Sequence, residues 1–141
     1  MAKPSSRITF NAKISRGSKL HYKINVFKRL CDMREYASKV GGGGKAFFSK
    51  AYGACTYYHY DRMEAPETDE VGEISLWEGA LGGEIVSHEC VHAALGALDR
   101  KNIKTLTTGD IGSDHAEELC YISGYLVKQI YNKLYKLKII D

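Results

Sequence analysis

Residues 7–15, RITFNAKIS, alternate apolar and polar side chains and set Ile8, Phe10, Ala12 and Ile14 on one side, which predicts a half-buried strand. Arg16, Gly17 and Ser18 supply turn chemistry, and the apolar run over residues 20–26 is placed to close a hairpin. The period then changes. From Val26 the apolar positions are Leu30, Met33, Ala37 and Val40, a helical spacing that Gly41, Gly42, Gly43 and Gly44 end as a flexible connection. Residues 52–60, YGACTYYHY, favour a strand, and residues 61–68, with Pro66 and several charges, favour a loop. Residues 71–77, VGEISLW, alternate again and feed a helix that starts within residues 79–83 and runs to about Ala97. After a long connection over residues 99–114, a last helix runs to the C-terminus. Its core-facing stripe is Leu119, Ile122, Leu126, Ile130, Leu134 and Leu137.

This order of elements predicts an α+β fold: a small sheet packed on the helix of residues 79–97, followed by a C-terminal helix. A chain of 141 residues, 44% of them apolar, has the length of one ordinary domain, so residues 1–141 are expected to form a single unit. No stretch approaches the roughly 20 unbroken apolar residues of a membrane span, and MAKPSSRITF lacks the apolar core of a signal peptide. Both features point to a cytoplasmic protein without membrane contact. Cys31, Cys55, Cys90 and Cys120 form no CxxC pair and read as free thiols rather than a disulfide framework or a thiolate zinc site. The net charge of +3 hides an asymmetry, because residues 1–50 carry twelve Lys and Arg against only Asp32 and Glu35. That surplus either solvates one face or gives weak contact with nucleic acid through Lys13, Arg16, Lys19, Lys23, Lys28 and Arg29.

The chemistry concentrates at His88-Glu89-Cys90-Val91-His92, an H-E-x-x-H pattern. On a helix the two histidines stand four apart and share a face, so one zinc ion can bridge them. Glu89 lies beside His88, placed to reach a zinc-bound water as general base without ligating the metal. Ile85, Val86 and Ser87 before the motif, and Val91, Ala93, Ala94 and Leu95 after it, make the helix look buried on most sides. Burying two histidines and a glutamate without partners costs several kcal/mol, which a bound metal removes. Cys90, two positions from each histidine, faces away from them. A third ligand must come from elsewhere, and the last helix offers His115, Glu117 and Glu118; packing by itself favours Glu118, nearer the apolar stripe.

Over residues 71–126 the chain resembles the gluzincin branch of the zincin metallopeptidases, in which H-E-x-x-H is followed on a later helix by a glutamate ligand. In thermolysin-like members that glutamate precedes a set of apolar residues and a glycine whose spacing matches Leu119, Ile122, Gly124 and Leu126 when read from Glu117. The resemblance therefore implies zinc ligands His88, His92 and Glu117, with Glu118 as fallback and His115 behind it. The pattern departs at Tyr121, where thermolysin-like members carry an aspartate that orients the first histidine; a tyrosine hydroxyl there would orient that histidine or steady an oxyanion. The layout is similar to small zincin-like proteins of phages and prophages. It implies a minimal zincin-like domain that hydrolyses peptide bonds, with Glu73 to Trp77 as an edge strand aligning an extended substrate. The alternative is a binding module that keeps the scaffold and its metal but cuts nothing. Tyr57, Tyr58, His59 and Tyr60 read mainly as one buried and one exposed face, while His21 and His59 lack ligand spacing.

Overall fold

The computed structural model describes residues 6–40, 53–59, 68–101 and 114–141. The glycine run at 41–44, Tyr52, Tyr60, the loop of 61–67 and residues 102–113 of the long connection lie outside these described residues. The described chain is a mixed α+β fold: a four-stranded sheet and three helices. Strands β1 (Arg7–Lys13) and β2 (His21–Phe27) pair antiparallel, as the hairpin pattern predicts. Gly17 takes a φ of 76° in the turn between them, a conformation an L side chain rarely adopts. Helix α1 (Leu30–Val40) follows, then β3 (Ala54–Tyr58), β4 (Glu70–Trp77), α2 (Gly83–Arg100) and α3 (Asp114–Lys136). Val26 belongs to β2 rather than to the helical stripe that its spacing suggests, because the sheet ladder holds it opposite Ile8.

The strand order is β1-β2-β4-β3. β4 runs parallel to β2 on one side and antiparallel to β3 on the other, so the expectation that residues 73–77 lie at a sheet edge is overturned. Among the described residues, the edge strand beside the motif helix is β3. Burial explains why the alternating pattern of β4 misleads: Val71 through Leu76 are all buried, since helices cover both faces of this central strand.

Alternation sorts the sheet into two packed layers. Tyr22, Ile24, Val26, Ile74 and Leu76 meet Val86, Cys90, Ala93, Ala94 and Ala97 of α2 and Ile122, Leu126, Ile130 and Leu134 of α3. On the opposite face Cys55 and Tyr57 pack against Ala37 and Tyr36 of α1, and the Phe27 and Tyr36 rings lie 5.6 Å apart. At the β1 edge, Gln129 of α3 bonds both backbone groups of Lys13: the Lys13 N–H donates to its Oε1 at 2.9 Å, and its Nε2 donates to the Lys13 carbonyl at 2.7 Å. The C-terminal stripe holds as far as Leu134, whereas Leu137, past the end of α3, is exposed. Among the described residues, no helix is long and apolar enough to cross a membrane.

All four cysteines are free, with Cys31 and Cys120 exposed and Cys55 and Cys90 buried. Burial first, and the neighbouring Glu89 carboxylate second, push both buried thiols up to about 12. At pH 8 we expect a thiol-specific reagent to modify two cysteines quickly and the remaining two only after denaturation. Four fast equivalents on the folded protein would contradict this packing.

Candidate functional site

Helix α2 begins at Gly83 immediately after the turn that follows β4, so the sheet fixes where the motif helix starts. Its small residues let it approach the sheet closely. Tyr22 donates its hydroxyl to the Ala93 carbonyl and Tyr58 donates to the His92 carbonyl, each at 2.6 Å. Gly96 makes room for both rings: a Cβ there would stand 2.1 Å from Tyr58 Cε1 and 2.6 Å from the Tyr22 hydroxyl. These contacts set the rotation of α2 about its axis, and with it the direction of the motif.

The expectation of a helix buried on most sides is corrected. Val86, Glu89, Cys90, Ala93, Ala94, Ala97 and Leu98 face inward, while His88, Val91, His92 and Leu95 form an exposed stripe. Helical geometry makes those four neighbours. The two imidazoles meet, with Nε2 to Nε2 at 3.2 Å. Two ring nitrogens so close must share a proton or a cation between them. Ligands at about 2.0–2.1 Å around a tetrahedral ion stand about 3.3–3.4 Å apart, so the pair fits zinc with little adjustment.

Glu89 differs from the histidines in being buried, at 7% exposure. Its Oε1 accepts a hydrogen bond of 2.9 Å from Thr56 Oγ1 on β3, and its Oε2 lies 3.8 Å from His88 Nε2. One oxygen is thus held by the sheet edge while the other faces the imidazoles. Thr56 is a residue that sequence reasoning missed. Its side of β3 follows from the strand register, which a motif search does not read. Replacing Thr56 with Val should keep the fold, free the Glu89 carboxylate to rotate, and lower any hydrolytic rate about tenfold, in line with losing one positioning bond; an unchanged rate would remove Thr56 from the site.

The glutamates of α3 are placed differently from the histidine pair. Glu117 is exposed, and Glu118 is engaged by Lys101 Nζ. Among the described residues, the set of three ligand-type side chains with donor atoms within 4.8 Å of one another is His59, Glu70 and Glu73, so neither Glu117, Glu118 nor His115 completes such a set with His88 and His92. Tyr121 is 73% exposed, a position that puts its hydroxyl in solvent. The six basic residues at the N-terminal end are split as well. Lys13, Arg16 and Lys19 cluster at the hairpin turn, whereas Lys28 and Arg29 follow the far end of β2, about 20 Å away at roughly 3.3 Å per residue. Between them Lys23 lies 3.8 Å from Glu73, and Arg29 pairs with Asp32.

His59, read from the sequence as an ordinary polar residue, pairs with Glu70 across the ends of the β3–β4 connection. No protein-family model, curated protein or solved structure matches the chain significantly.

Proposed function

We propose that the protein is a zinc-dependent peptidase of minimal zincin-like architecture in which His88, His92 and Glu117 hold the metal and Glu89 is the general base. The observation that carries this reading is the 3.2 Å approach of two exposed imidazole nitrogens beside a buried, oriented carboxylate. A structural or incidental histidine pair has no use for Glu89, whose burial is costly and whose orientation consumes a threonine hydroxyl. That expense favours catalysis over the alternative of a silent binding module.

Zinc held by His88 and His92 would supply an acidified water and polarise a substrate carbonyl. The protein's own part follows from its atoms. Thr56 fixes Glu89 Oε1, so Oε2 is the atom that accepts a proton as water adds to the carbonyl carbon and delivers it to the nitrogen as the C–N bond breaks. Val91 and Leu95, 43% and 38% exposed on the same stripe, give the substrate an apolar flank. Two features support Glu117 over Glu118 as third ligand: the resemblance noted above, and the ion pair that commits Glu118 to Lys101. Packing of α3 along α2 keeps both glutamates on the helix that accompanies the motif. The free thiols suit a reducing, cytoplasmic setting.

Elemental analysis of the purified protein tests the reading. One zinc per His88–His92 pair is expected, lost in the His88→Ala and His92→Ala variants and reduced in Glu117→Ala, with Glu118→Ala close to wild type. A double histidine variant that keeps the full wild-type zinc content, instead of losing one equivalent relative to wild type, would overturn it.

A further inference from the structure

On the face of the sheet away from the motif helix, polar side chains gather where apolar ones are expected. Glu73 on β4 is 5% exposed, Asn25 on β2 and Ser75 on β4 are fully buried, and α1 lies over them. Glu73 Oε1 accepts from Asn25 Nδ2 at 2.9 Å and from the Tyr36 hydroxyl at 2.7 Å, with Lys23 Nζ more distant at 3.8 Å. Three groups therefore converge on a single carboxylate oxygen.

Two carboxylates meet here: Glu73 pairs with Lys23 at 3.8 Å, and Glu70 Oε2 is in hydrogen-bond contact with His59 Nε2. Ligand atoms of His59, Glu70 and Glu73 lie within 4.8 Å of one another, and a divalent ion between them would take the place of the His59–Glu70 contact, with a small opening of that pair, and would offset the repulsion of the two carboxylates more fully than Lys23 does from 3.8 Å. The fully buried Asn25 spends its Nδ2 on Glu73 and Ser75, and its Oδ1 has no hydrogen-bond donor. Lys23 reaches Glu73 only at 3.8 Å.

We infer that His59, Glu70 and Glu73 form a second divalent-cation site, remote from His88 and His92 and independent of any catalytic role for them. One imidazole and two carboxylates suit zinc. The hydrogen bonds from Tyr36 and Asn25 to Glu73 Oε1 are the outer support that ligating carboxylates carry, leaving Oε2 as the ligand atom. The site is structural: His59 closes β3 and Glu70 opens β4, so the ion ties the two ends of their connection and steadies the edge strand that carries Thr56.

The experiment uses the His88→Ala/His92→Ala protein, both positions being exposed, so that the catalytic reading neither helps nor hinders the outcome. Stripped with a chelator and titrated calorimetrically with zinc chloride, this background should bind one equivalent, and the added His59→Ala substitution should abolish it. Thermal unfolding gives a second readout. Zinc at about a hundred times its dissociation constant should raise the midpoint by on the order of 10 °C in the background and leave the His59→Ala protein unmoved. A background that binds no zinc, or a His59→Ala protein that still takes up its equivalent and is still stabilised, overturns the site.

Discussion

Replacing Glu89 with glutamine is expected to lower peptide hydrolysis by about 10²–10⁴-fold while leaving the zinc content at its wild-type level. Glutamine keeps the shape of the side chain and can still accept from Thr56 through its carbonyl oxygen, so the fold and the histidine pair stay in place. What it loses is the proton acceptor. The measurement pairs a fluorogenic peptide assay with elemental analysis on the same preparation. Activity equal to wild type would remove Glu89 from the mechanism, and loss of zinc would make it a ligand instead. A parallel assay with chelator separates the metal-dependent rate from any contaminating peptidase.

The second large effect is on stability and runs against the usual sign. In an ordinary helix interior glycine costs about 1 kcal/mol relative to alanine, so Gly96→Ala would normally stabilise. Here the added methyl would stand 2.1 Å from the Tyr58 ring and 2.6 Å from the Tyr22 hydroxyl. Both rings must shift, and with them the hydroxyl bonds to the Ala93 and His92 carbonyls. Overpacking costs about 1–3 kcal/mol, and a buried hydroxyl left without an acceptor costs about 1–3 kcal/mol more. After the helix gain is subtracted, the expected net loss is about 1–5 kcal/mol, read at its middle as a fall of about 10 °C in the unfolding midpoint. A rise in midpoint would show that α2 is not held this close to the sheet. The buried Tyr22 hydroxyl, raised well above its ordinary range chiefly by desolvation, belongs to this same contact.

Glu89 and Gly96 differ in how they could be found. Glu89 stands out because its chemistry is local: residues four apart on a helix share a face whatever the rest of the chain does, so H-E-x-x-H announces two aligned imidazoles and an adjacent carboxylate. Gly96 carries no such mark. Its importance comes from Tyr22 and Tyr58, remote in sequence, and only the packing of α2 on the sheet brings them to it. The same holds for Thr56, whose hydroxyl reaches Glu89 because β3 pairs with β4 in one register.

Periodicity in the sequence determined every described strand and helix to within a few residues, because a period of two or of 3.6 is imposed by backbone geometry alone. It also determined the histidine pair. Tertiary structure decided that β4 is central rather than an edge, since strand order depends on which faces the helices cover and not on the alternation within one strand. It decided that the histidine stripe faces outward while Glu89 faces in, because close packing against Tyr22 and Tyr58 sets the rotation of α2. It assembled His59 with Glu70 and Glu73 through a pairing of β3 and β4 that no spacing encodes. It also tied Glu118 to Lys101. These contacts form only when distant segments meet, and their free energies depend on that meeting.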